Sequence, residues 1–241
     1  MENIKIKSER NYGIDLLRSI AMFMVVTLHT LSFSGLLTKT ESLSAKYEVS
    51  WLLEIASYCA VNCFVIISGY VGLNSKFRIS RVIGLWLQVV FYLVLADLVV
   101  QFYNMSAGAE FDMDLFISQF LPVSNKKYWF FTQYFALSFL MPFINKAVKN
   151  QSFKSCLTLS LSLFAIFSLL PTIVASPLPY IGTKPAMDLF FLGKGYSVIW
   201  SAVLYVSGCT VKKLKEEGKI KIKCYVSLLI YAACVLAVWG I

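Results

Sequence analysis

The sequence predicts an all-α fold, a polytopic transmembrane helix bundle, and three observations carry that prediction. Hydrophobic residues make up 58% of the 241 positions and charged residues only 15%, far more apolar than a soluble domain. The apolar residues fall in continuous runs long enough to cross a bilayer as helix, which takes about 20 residues. They do not alternate with polar ones, as the strands of a membrane barrel would.

Seven such runs follow in order, at roughly 13–37, 49–73, 82–103, 128–147, 156–175, 192–211 and 223–241. The first follows Lys5, Lys7 and Arg10, which is also how a secretory leader begins. It is too long for the apolar core of a signal peptide, and no small-residue cleavage pattern follows Leu37, so it is expected to remain as a span. The second and third runs are separated by Lys76, Arg78 and Arg81, and the third and fourth by the acidic Glu110, Asp112 and Asp114. Lys146, Lys149 and Lys154 lie between the fourth and fifth. Lys212, Lys213, Lys215, Lys219, Lys221 and Lys223 lie between the sixth and seventh. Basic residues thus concentrate on the N-terminal tail and on every second connection, and the positive-inside rule makes the N-terminus cytoplasmic. No Gly/Ser-rich linker, internal repeat or low-complexity tract divides the chain, so a single membrane domain over 1–241 is expected.

The net charge of +9 is explained by these orienting residues, not by a nucleic-acid surface, which would need a basic face with exposed aromatics on a soluble domain. The Lys212 to Lys223 loop could touch anionic lipid headgroups, but it also holds Glu216 and Glu217, so a solvated membrane face is its expected role. Cys59, Cys63, Cys156, Cys209, Cys224 and Cys234 form no CxxC pair, and one histidine cannot build a zinc site with them. Structural cysteines, no metal and no permanently bound cofactor are expected.

The first run poses the chemical question. RSIAMFMVVTLH places Arg18 at one end and His29, the single histidine of the chain, at the other, with ten uncharged residues between. Eleven steps of helix bring the two onto one face, about 16 Å apart along the axis, and Asp15 and Ser32 extend the line at its ends. Arg18 alone could snorkel to the headgroups or pair with Asp15. His29 sits too deep to snorkel easily and must face protein or a water-filled cavity, either as a satisfied structural hydrogen-bonder or as a functional group.

The whole opening, YGIDLLRSIAMFMVVTLH, resembles the hallmark first span of the acyltransferase 3 family, integral membrane enzymes that O-acylate surface and exported glycans. Four further stretches agree with it in order. AVNCFVIISGYVGL resembles the family's second-span signature ending in Ser68, Gly69 and Tyr70, and the basic loop Lys76 to Arg81 corresponds to a basic turn. YWFFTQYFALSFLMPFIN resembles its Trp-Phe span with a later proline, and GYSVIWSAVLYVSGC resembles a span near the C-terminal side of the core. The likeness covers essentially the whole chain. Asn62 stands where many members carry Asp, as in surface-polysaccharide O-acyltransferases. The family has more spans than are placed here, and this sequence stops at VLAVWGI inside an apolar run, so it reads as a member truncated at the C-terminus.

The resemblance implies acyl-CoA, usually acetyl-CoA, as a donor supplied from the cytoplasmic side, and a glycan or lipid-linked saccharide as acceptor. Arg18 would hold a CoA phosphate, and His29 would take the proton from a sugar hydroxyl as it attacks the thioester. An acyl-histidine intermediate is equally open. Glu54 and Asp97 compete to orient His29, Glu54 by lying at matched depth on an antiparallel span; either could instead be an interfacial carboxylate facing water. Asp15, Ser68, Gly69 and Tyr70 are candidates for the donor cavity, with helix packing as the alternative for the last three. Trp129 either anchors at the membrane interface or stacks on a sugar. Gly195, Tyr196, Ser197 and Trp200, beside Lys194, either recognise glycan or complete an interfacial belt. GKGYS lacks the Walker spacing and is no phosphate loop.

Three other readings stay open: an inactive truncated relative, a small-molecule or proton transporter, and a seven-span receptor, the last opposed by a cytoplasmic N-terminus. The family implies the plasma (inner) membrane of a bacterium.

Overall fold

The computed structural model describes residues 11–41, 44–123, 128–174, 190, 192–218 and 223–240. Lys5, Lys7, Arg10, Lys219 and Lys221 lie outside the described residues, as do the side chains of Lys194 and Cys224. Every regular element among the described residues is helical.

The helices are α1 (Tyr12–Ser34), α2 (Leu36–Lys39), α3 (Ala45–Ser57), α4 (Ala60–Gly72), α5 (Ile79–Ser106), α6 (Met113–Ser118) and α7 (Trp129–Lys149). They continue as α8 (Phe153–Phe164), a π-helical turn (Ala165–Leu169), α9 (Leu170–Val174), α10 (Val198–Glu216) and α11 (Cys224–Trp239). Their starts follow local chemistry. Asn11, Ser44, Asp112 and Ser152 each accept a hydrogen bond from a backbone N–H of the first turn of α1, α3, α6 and α8. Gly35 ends α1 at φ +72°, where a side chain would be strained, so the first predicted run closes before residue 37 and turns into α2.

Four stretches are long and apolar enough to cross a membrane: Tyr12–Ser34, Ala45–Gly72, Ile79–Ser106 and Phe153–Val174. They correspond to the first, second, third and fifth predicted runs. The other runs are helical over α7, α10 and α11 but differ in kind. The first two of these carry lysines in their last turns, Lys146 and Lys149 in one and Lys213 and Lys215 in the other, and α11 has 16 residues.

Two compact units are present, Met1–Ser68 with Leu214–Ile241, and Gly69–Lys213. In the first, α1 packs along α3, α2 closes the connection between them, and α11 also packs on α3. Tyr231 Oη donates to the backbone carbonyl of Ala56 and ties α11 to α3.

In the second unit α10 is the core helix. Val203, Leu204, Tyr205, Val206 and Cys209 on it are buried, and so are Ser201 and Thr210. Helix α7 runs parallel to it, since the contacts rise together along both: Gln133 with Ser201, Asn145 with Tyr205, Lys149 with Lys213. Helix α8 runs antiparallel, with Cys156 against Thr210, Ser160 against Ser207 and Phe164 against Trp200. The end of α4 meets α10 with no room for a side chain, because a Cβ on Gly69 would lie 2.1 Å from the Tyr205 carbonyl oxygen. Polar groups close this junction. Tyr205 Oη donates to Asn145 Oδ1 at 3.0 Å, and Asn145 Nδ2 donates to the Gly72 carbonyl at 3.0 Å. Each bond meets a group that the apolar interior would otherwise leave unsatisfied.

Candidate functional site

Helix α1 is unbroken from Tyr12 to Ser34, so Arg18 and His29 fall on one face three turns apart, as their spacing requires. Ala21 and Leu31 are the buried side chains of α1, whereas Arg18 and His29 are exposed. Arg18 Nη1 reaches Asp15 Oδ1 at 3.5 Å, a long pair one turn apart that leaves most of the guanidinium's donors unspent among the described residues. The His29 ring meets Phe33 edge-on at 5.9 Å and makes no hydrogen bond among the described residues.

The two carboxylates proposed to orient His29 have different surroundings. Glu54, on α3, has its Oε2 buried without a hydrogen-bond partner among the described residues. The structure therefore does not join Glu54 to His29 by a hydrogen bond. Asp97, on α5, is fully engaged elsewhere: Oδ2 accepts from Gln101 Nε2 at 2.8 Å, and Oδ1 accepts from Gln119 Nε2 at 3.0 Å. Gln101 in turn bonds both the N–H and the C=O of Asp112, so this carboxylate pins the acidic connection and α6 to α5.

Of the second-span signature, Ser68 Oγ donates to the carbonyl of Phe64 one turn back. Gly69 belongs to the close packing against α10, and Lys212 Nζ stands over the Tyr70 ring at 5.1 Å from its centre. The aromatic candidates of the later spans come together. Trp129 and Tyr196 meet edge to face at 4.4 Å, at the N-terminal ends of α7 and α10. Trp200 lies under Gly195, whose φ of +95° suits only glycine, and packs edge-on against Phe164 at 5.6 Å. An apolar cleft of about 160 Å³ between α5 and α7, lined by Ile79, Val82, Ile83, Trp86, Phe135 and Phe139, carries no titratable group.

A family profile described as an acyltransferase domain matches residues 11–241. The chain belongs to the acyltransferase 3 family. No curated protein and no solved structure matches it. The family match takes in every described helix of this acyltransferase, from α1 with Arg18 and His29 to α11. Family and apolar helices together support a membrane acyltransferase.

Sequence reasoning passed over three polar residues that the acyltransferase fold uses. Gln133 and Asn145 on α7 and Gln101 on α5 all sit inside apolar runs, where an amide must find a partner or stay costly. That signal was present in YWFFTQYFALSFLMPFIN, but it could not say which helix the amides would meet. Cys156 and Cys209 are buried, and Cys209 Sγ lies 3.4 Å from the Gly69 carbonyl, within the α4 and α10 junction.

Proposed function

We propose that the protein moves an acyl group, acetyl in the first instance, from acyl-CoA to a hydroxyl of a surface or exported glycan. His29 is the general base and Arg18 the anchor for a donor phosphate. One observation carries the reading: inside the family match, an unbroken helix holds on one exposed face, about 16 Å apart, a guanidinium and an imidazole that are respectively incompletely paired and unbonded among the described residues. In this reading seven spans lie in a bacterial plasma membrane with the N-terminus cytoplasmic, so that Arg18 lies nearer the side where acyl-CoA is found. The lipid and the saccharide, free or lipid-linked, are its other partners.

The chemistry follows from the two groups. Arg18 grips a phosphate with a planar, permanently charged fork. The thioester then lies along the stripe toward His29. The imidazole takes the proton from the acceptor hydroxyl as its oxygen attacks the thioester carbonyl; the C–O bond forms and the C–S bond breaks. The imidazolium returns the proton to the departing CoA thiolate, which leaves the histidine neutral for the next cycle.

The test is incorporation of radiolabelled acetyl from acetyl-CoA into glycan by membranes containing the protein. Signal that disappears with His29→Ala and weakens with Arg18→Ala supports the reading. Absence of signal above empty membranes, or full signal in His29→Ala, overturns it.

A further inference from the structure

The tops of α7 and α10 hold a donor that no described residue uses. Gln133 is 6% exposed, and Ser201, 3% exposed, donates to its Oε1 at 3.2 Å. That bond fixes the amide's orientation and leaves Nε2 buried without a partner among the described residues. A buried amide N–H₂ with no acceptor costs about 1–3 kcal/mol, so a helix core retains one only at a loss unless something arrives to accept from it.

What lies above it indicates what that something is. Trp129 is one turn toward the helix start from Gln133, on the same face, and its ring meets that of Tyr196 at 4.4 Å. Both rings are open to the outside, Trp129 at 38% and Tyr196 at 60% exposure. The layers therefore run from exposed aromatic rings to an oriented, unspent donor. The described side chains of this cluster carry no formal charge, which disfavours a phosphate or a carboxylate. Flat apolar rings above a neutral donor match a neutral sugar, whose C–H face packs on an aromatic ring and whose oxygens accept hydrogen bonds.

We propose that Trp129, Tyr196 and Gln133 form the acceptor subsite, binding the ring of a neutral sugar against the two aromatics and one of its oxygens through Gln133 Nε2. The proposal rests on the reading of this protein as an acyltransferase of glycans and names the residues that receive the glycan. Gln133 is a positioning and specificity residue; the proton chemistry belongs elsewhere.

Binding and transfer are measured separately so that the two ideas can fail separately. The full chain carrying His29→Ala, in lipid nanodiscs, is titrated with maltotetraose, chitotetraose and xylotetraose, with tryptophan fluorescence as the readout. At least one tetrasaccharide is expected to bind, and Gln133→Met to raise its Kd about tenfold, the loss of one hydrogen bond to a buried donor. Trp129→Ala is expected to raise it at least as much. Ser201→Ala, which removes only the bond that orients the amide, is expected to raise it about threefold, and serves if Gln133→Met does not fold. With His29 restored, the same variants raise KM for the saccharide and leave KM for acetyl-CoA unchanged, a split that a general loss of packing would not produce. Binding of none of the three sugars, or an unchanged Kd in Gln133→Met, overturns the subsite. Transfer that persists at full efficiency in Gln133→Met and Trp129→Ala leaves the acyltransferase standing and removes the subsite. Binding that weakens as described without any transfer in the wild type leaves the subsite standing and removes the acyltransferase.

Discussion

Helices α1 and α10 treat their polar residues in opposite ways. Helix α1 buries two side chains in 23 residues and leaves Arg18 and His29 exposed, with no bond beyond their own helix among the described residues. Helix α10 buries eight residues in 19, and its Ser201, Tyr205, Ser207 and Thr210 are all committed to bonds with α7 or α8. A polar group already bonded to its neighbours is architecture, because moving it would strand a buried partner. A polar group with its donors and acceptors unspent is available to a ligand. The difference separates a helix that can act from one that holds the fold.

The sharpest way to break this comparison is at Gly69. A Cβ there meets the Tyr205 carbonyl at 2.1 Å, so Gly69→Ala must push α4 and α10 apart. Backbone cannot yield as a side chain does, and a loss of about 3 kcal/mol or more is expected, read as failure to recover folded protein from membranes or a steep fall in Tm. His29→Ala comes next and should do the reverse: transfer falls about 10²-fold to 10⁴-fold, while Tm stays within error, because the exposed ring makes no hydrogen bond among the described residues. Loss of Tm in that variant would show α1 to be scaffold after all.

Asn145→Leu removes the acceptor of Tyr205 Oη and the donor to Gly72 together, and should cost about 2–3 kcal/mol by thermal unfolding. Asp97→Asn tests the carboxylate whose two oxygens hold Gln101 and Gln119. It should destabilise by about 1–2 kcal/mol, since one buried amide is left facing another N–H₂, with KM for acetyl-CoA unchanged. The smallest effect belongs to Asp15→Asn. An exposed pair at 3.5 Å contributes about 0–1 kcal/mol, so Tm should not move measurably, and any change should appear in donor KM through Arg18.

The helical fold was legible because apolar runs in a membrane chain leave the backbone no alternative to internal hydrogen bonding. Arg18 and His29 on one face were legible for the same reason, since spacing and helix geometry fix their relation without any partner. The role of Asp97 was not. Its acceptor capacity is used by Gln119, 22 residues away, and no local pattern announces that pairing. For Gly69 helix packing stood as the alternative to a cavity role, and the structure supplies the surface it packs on, the backbone of Tyr205 and Gly208. The extent of the later helices was blurred because lysines follow apolar residues without a break. Lys212 and Lys213 continue α10 where hydropathy alone ends the run near residue 211.

One of those lysines has a double life. Lys213 Nζ donates to the carbonyl of Lys149 at 2.9 Å and to that of Gln151, meeting the unsatisfied carbonyls where α7 ends. The same ammonium belongs to the cluster from which the positive-inside rule reads orientation. During biogenesis a translocation machine would weigh it as one charge among several, while in the finished protein it is a fixed strut between two helix ends. A charge-reversal scan meant to map topology would therefore conflate the two at this position. Lys213 is the residue to leave alone in such a scan.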